Sequence, residues 1–195
     1  MSAAPAPPFL LASRSPQRRA ILSQLGVPFE VAPPVWEELR GGEPAETVRA
    51  NARGKARSVA DGAGPRPVLG VDTEVVLDGR VFGKPLDAGE AEAMLEALGG
   101  RTHEVVSGLC LVTPGWEIVE HEVTLVSFRR LDARDLAAYV GTREWRGRAG
   151  AYAIQGRGAA LVERIEGDYL NVVGLPGALL VRLLAERFPG IYGFG

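Results

Sequence analysis

The chain has 195 residues, a formal net charge of −2 and a hydrophobic content of 46%. This is the composition of a soluble globular protein, without the positive charge that draws a protein to nucleic acid or an anionic membrane. The single cysteine, Cys110, lies in an apolar segment with no internal disulfide partner, which fits a reducing cytoplasm. No stretch reaches bilayer length, and the opening MSAAPAPPFLLAS lacks the basic start and long apolar core of a signal peptide. Residues 1–8 read as a flexible lead-in, 9–188 as one domain and 189–195 as a tail.

In chain order, residues 9–12 form a short buried strand. Ser15-Pro16 then supplies an N-cap and a proline at the first helical position for a helix running to Leu25, stopped by Gly26. Ala20, Ile21, Leu22 and Leu25 bury one face of it. The hydroxyls of Ser13 and Ser15, free backbone N–H groups, and Arg14, Gln17 and Arg18 gather at its start, a pattern suited to phosphate, although the Gly-Lys-Ser/Thr of a Walker A loop is absent. Residues 29–31 are a second strand, leading through Pro33-Pro34 to Trp36-Glu37-Glu38. A helix over 45–60 places Val48, Ala52, Ala56 and Val59 on one side, with Lys55 about 20° from Val48, near the centre of that stripe. A lysine there either snorkels to the helix flank or points into a cleft and meets an anion.

A Gly/Pro-rich loop over 62–67 precedes GVDTEVVLDGRVFGKP. Val68, Leu69 and Val71, then Val75, Val76 and Leu77, read as a buried strand interrupted by Asp72-Thr73, and a carboxylate inside such a run calls for a cation. Asp78-Gly79 favours a type I′ turn, so Val81-Phe82 should return antiparallel and deliver Gly83-Lys84-Pro85 near Asp72. Taken alone, Asp72 could equally bond nearby backbone, with Lys84 a solvated turn residue.

Asp87 and Glu90 make a capping box for a helix through Leu98, closed by Gly99-Gly100. Two strands, 103–112 and 118–128, flank Pro114-Gly115 as an antiparallel pair. His103 has no neighbouring ligand at metal spacing and reads as structural. Asp132 caps a helix ending at Gly141, and the glycine-rich segment 147–158 can bring backbone close to a ligand. Residues 161–165 and 169–173 are expected as strands joined at Glu166-Gly167-Asp168, and Pro176 opens a last helix through Arg187.

Several collinear motifs, LASRSP with Arg18, Glu38 after Trp-Glu, the Lys55 segment, GVDTEVV, GKP-x-D, GRTHEV, AGAYAIQG and NVVGLP, resemble those of the Maf family of nucleotide pyrophosphatases from Leu10 to Leu184. The resemblance implies a mixed α/β fold with two lobes, like that of inosine triphosphatases, an elongated twisted mixed sheet and a central cleft. It also implies hydrolysis of nucleoside triphosphates to monophosphate and pyrophosphate with a divalent cation, Mg²⁺ or Mn²⁺. By position, Asp72 corresponds to the family's catalytic acceptor or metal-associated acid, and Glu38, Lys55 and Lys84 to its cleft charges; Asp72 and Glu38 can hold the cation through oxygen ligands, with Asp72 either a metal ligand or the general base. Ser13, Arg18, Thr73, Gln155, Gln17 and Arg148 fall at substrate-binding positions. Thr73 and Gln155 resemble the subfamily acting on dTTP and UTP rather than on 7-methyl-GTP. Gln17 departs from the arginine usual in that subfamily, and Gly147-Arg148 replaces Asp-Lys. The expected partner is a nucleoside triphosphate, with neither nucleic acid nor membrane and with a homodimer left open. The rival reading is a nucleotide-binding or cell-division regulatory module without turnover.

Overall fold

The computed structural model describes residues 7–195, so most of the 1–8 lead-in lies outside the described residues. β1 (Phe9–Ala12), β2 (Phe29–Val31), β3 (Val68–Leu77), β4 (Arg80–Phe82), β5 (Thr102–Val112), β6 (Glu117–Phe128) and β7 (Val162–Glu166) form one mixed sheet in the order β2-β1-β3-β5-β6-β7, with β4 paired to β3. The helices are α1 (Pro16–Gln24), α2 (Pro44–Ala60), α3 (Ala88–Leu98), α4 (Ala133–Gly141), α5 (Tyr169–Val173) and α6 (Gly177–Arg187). The mixed α/β class and the elongated sheet match the expectation. No helix among the described residues is long and apolar enough to cross a membrane.

Alternation along β3 sorts its side chains between two faces. Leu69 and Val71 pack with α1 and α6 through Ile21, Leu22, Leu180 and Leu183, while Val75 and Leu77 pack with α3 and α4 through Leu95, Leu98 and Leu136. Residues of the opposite parity turn toward α2, Val68 with Ala52 and Ala56, and Val76 with Val48. Glycines let α2 lie directly on that face. A Cβ on Gly70 would stand 2.2 Å from the Ala52 carbonyl oxygen, and one on Gly108 2.2 Å from that of Val48.

The pairing of β3 leaves a notch. β5 occupies one edge of β3 from Val68 to Val76. On the other edge β1 pairs only with Val68, Leu69 and Gly70, and β4 only with Val75, Val76 and Leu77. Residues 71–74 therefore have an open edge between two strands. The β3–β4 turn forms as expected, with Asp78 at φ 50° and Gly79 at φ 74°, the double positive φ of a type I′ turn.

One expected strand is a helix. Tyr169–Val173 carries the aromatic and β-branched residues of a strand, but Asp168 accepts from the Leu170 N–H at 2.8 Å and caps a single helical turn, which Gly174 ends at φ 129°. Asn171, fully buried, fixes that turn by donating to the Val105 carbonyl and to Thr124 Oγ1, both at 3.0 Å. The 189–195 segment is docked: Tyr192 is buried against Phe9, ring centroids 4.6 Å apart, and donates to the Pro7 carbonyl at 2.9 Å.

His103 is structural, as expected. It is buried edge-on to Phe128, Nε2 meets Tyr152 Oη at 2.9 Å, and burial pushes its pKa down to about 4. A folded-state pKa below the unfolded value means stability present above pH ~6.5 and lost as pH falls toward 4, on the order of 3 kcal/mol in total. Urea unfolding from pH 7 to pH 4 should accordingly show a steeper loss in wild type than in His103→Gln; parallel pH slopes would refute this.

Candidate active site

The notch collects side chains from both faces of β3. Asp72 turns toward α2, where Lys55 Nζ donates to its Oδ1 at 2.6 Å and Asn51 Nδ2 to its Oδ2 at 2.9 Å. The same ammonium donates to Glu38 Oε1 at 2.5 Å. Lys55 is only 6% exposed, so of its two sequence readings the cleft-facing one holds. The stripe that looks misplaced for a lysine is the side of α2 that Gly70 and Gly108 bring against the sheet.

The cation bonded to Asp72 is Lys55. β4 pairs only up to Val75, and the chain then leaves the sheet. Lys84 is exposed on the GKP turn, where its charge is felt by Glu38. Partial burial raises the Glu38 carboxyl, but the Lys55 hydrogen bond and charge, with the charges of Lys84 and Arg18, outweigh it and hold the group below its ordinary value.

Thr73 points to the other face. Its Oγ1 accepts from an Arg18 terminal nitrogen at 3.2 Å and lies 2.8 Å from Ser107 Oγ. Arg18 also donates to Ser13 Oγ at 3.2 Å and, through Nε, to the Gly174 carbonyl at 2.8 Å. Three of its five N–H groups are thus used, and two remain for a ligand. Burial lowers the Arg18 guanidinium from its ordinary value, opposed by the negative charges of Asp72 and Glu38.

Gln17, next to this arginine in sequence, shares a pocket of about 250 Å³ with Gln155, lined also by Ile21, Tyr169, Leu170 and Val173. Gln17 Oε1 accepts from the Ser15 hydroxyl at 3.1 Å, and Gln155 is exposed. Arg148 stands apart from these groups, on the glycine-rich segment and within range of the Tyr139 hydroxyl. Its Nε is buried without a partner among the described residues. Two residues on, the Gly150 N–H donates to the Gly83 carbonyl at 3.1 Å and ties that segment to the GKP turn.

Sequence reasoning passed over two residues. Asn51 precedes Lys55 by one helical turn, a spacing that could have flagged it. Glu74 follows Asp72 by two positions and so shares its face of the strand. Burial pushes its pKa up to about 7, with the charges of Asp72 and Glu38 adding to the effect.

The donor chemistry fits a hard divalent cation in part. Lys55 takes one oxygen from each of Asp72 and Glu38, and the second Glu38 oxygen accepts no hydrogen bond from the described residues. No three His, Cys, Asp or Glu side chains among the described residues converge as a metal cage. The set therefore suits an ion such as Mg²⁺ that is held by one or two carboxylates and completed by substrate phosphates.

The chain was compared with known proteins. A Maf-like protein family profile matches residues 8–187. A dTTP/UTP pyrophosphatase of Moorella thermoacetica is 50% identical over 94% of this chain and 97% of its own length. Proteins of that name from Symbiobacterium thermophilum and Nitratidesulfovibrio vulgaris are each 48% identical, over 91% and 92% of this chain and 92% and 88% of theirs. Likeness of this extent means that the chain belongs to the Maf family.

Proposed function

We propose that the protein is a nucleoside triphosphate pyrophosphatase that hydrolyses dTTP and UTP to the monophosphate and pyrophosphate. The observation that carries this reading is the buried Lys55 ammonium held by both Asp72 and Glu38 beside an open strand edge. The names of the relatives support the substrate and the bond cleaved. A cytoplasmic setting belongs to the same reading.

Each residue has a task set by its position. The triphosphate is bound by Arg18, through its two uncommitted N–H groups, and by Lys84 at the rim, which together offset its negative charge and that developing on the departing pyrophosphate. Asp72 acts as general base. Its two oxygens accept from Lys55 and Asn51, but each retains a second lone-pair direction, and a water there can lose its proton to the carboxylate as it attacks phosphorus. Asp72 and Glu38 would hold Mg²⁺ or Mn²⁺, which when bound supplies further neutralisation of phosphate charge. Gln17 and Gln155 face one pocket with Tyr169, so amides that both donate and accept can read the O4 and N3–H edge of uracil or thymine beside an aromatic ring.

Asp72→Asn should lower turnover at least ~100-fold, the scale of a lost general base, while nucleotide binding measured by calorimetry stays within about tenfold. Wild type that binds nucleotides without turning any over would favour the regulatory-module reading. Chromatography of the products should find monophosphate and pyrophosphate; diphosphate with orthophosphate would overturn the bond assignment.

A neutral amide at position 17 discriminates less than a guanidinium fork. Activity should therefore extend beyond dTTP and UTP to CTP or modified bases, and Gln17→Arg should narrow it. A kcat/KM ranking unchanged by Gln17→Arg would show that position 17 is not the selector.

A further inference from the structure

We infer that Asn51 is a positioning residue that latches residues 35–39 onto α2 and thereby sets Glu38 against Lys55; the kinetic part of this inference rests on the function proposed above. Asn51 is 1% exposed and its amide is fully used. Nδ2 donates to Asp72 Oδ2 at 2.9 Å and to the Leu39 carbonyl at 3.1 Å, while Oδ1 accepts from the Leu39 N–H at 2.8 Å and from Trp36 Nε1 at 3.1 Å. With nothing left for a ligand, the side chain acts through the groups it holds.

The segment it holds has little else to fix it. Residues 33–40 are neither helix nor strand and make no backbone-to-backbone hydrogen bond among the described residues. Val35, Trp36 and Leu39 are 85%, 41% and 50% exposed, so no core lies over them. The other ties also lead to α2. The Val35 N–H donates to Ser58 Oγ at 3.2 Å, and the Trp36 indole lies across Gly54, where a Cβ would come within 2.2 Å of the ring. Glu38 therefore reaches Lys55 because Asn51 and Gly54 seat the residues on either side of it. The same amide orients Asp72, so one side chain sets the spacing of both acids around the lysine.

Asn51→Leu removes the amide at similar volume, and Gly54→Ala displaces Trp36, with its bond to Asn51, while leaving the amide and its other bonds in place. In each variant kcat should fall roughly tenfold to a hundredfold with a smaller change in KM, the scale of a misplaced catalytic group. Hydrogen–deuterium exchange at the Leu39 amide should accelerate at least about tenfold while β3 and β5 keep their protection. A general loss of structure would not loosen Leu39 while β3 and β5 stay protected. In a Glu38→Gln background, Gly54→Ala should cost less than about twofold more, because the group it positions is already disabled, whereas Asn51→Leu should keep the part of its loss that runs through Asp72. A fully additive loss for Gly54→Ala, or unchanged protection at Leu39 in both variants, would overturn the inference. A wild-type chain that hydrolyses no triphosphate would remove the proposed function and the kinetic part with it, whereas the exchange result would still decide whether Asn51 is the latch.

Discussion

A buried ammonium shared by two carboxylates is the interaction on which the site depends. Lys55 lies in a low-dielectric interior, where an unpaired charge is strongly disfavoured, and its two acceptors come from different parts of the chain, Asp72 in a strand and Glu38 in an irregular segment. Neither acid could face the other at this range without the cation between them. Removing Lys55 or Asp72 is costly because the other stays buried, whereas Glu38 is half exposed. The cluster is therefore a structural requirement as well as, in the proposed function, a source of chemistry.

Backbone geometry makes that contact reachable. An aspartate is short, so α2 must lie almost on the sheet for Lys55 and Asn51 to touch it, and Gly70 and Gly108 remove the side chains that would hold the helix away. The pairing of β3 then opens the other side. With β1 stopping at Gly70 and β4 beginning at Val75, the intervening edge is unpaired, and Asp72 and Thr73 project from it toward opposite faces. One face collects Lys55, Asn51 and Glu38. The other collects Arg18, Ser13 and Ser107, beside the pocket lined by Gln17 and Gln155. In the function proposed above, a ligand with a phosphate chain and a base would meet both kinds of surface across one strand edge.

Much of this was legible in the sequence because it rests on local conflicts. A carboxylate in an apolar strand and a lysine in an apolar helix stripe each break a pattern, and the two breaks meet at 2.6 Å. The capped helices and the Asp78-Gly79 turn were equally visible, being set by a few adjacent residues. What failed depended on distant packing. The turn pointed to Lys84 near Asp72, but that Lys55 makes the bond to it depended on how α2 packs on β3. YLNVV reads as a strand by side-chain type, whereas its cap at Asp168 and the burial of Asn171 beneath it make it a helical turn. Asn51 was missed because a polar residue on a helix looks solvated until its four hydrogen bonds are known.

The central claim is that the Lys55 charge, held between Asp72 and Glu38, is indispensable to turnover. It is tested most directly by removing and restoring that charge. Cys110, buried in the core, is first replaced by alanine so that a Lys55→Cys variant carries one thiol, which can be alkylated with bromoethylamine in denaturant before refolding. The account predicts that Lys55→Cys loses at least ~1000-fold in hydrolysis of dTTP, and that aminoethylation, which rebuilds a side chain close to lysine, restores most of it. Folded Lys55→Cys protein turning over within tenfold of its parent would contradict the account.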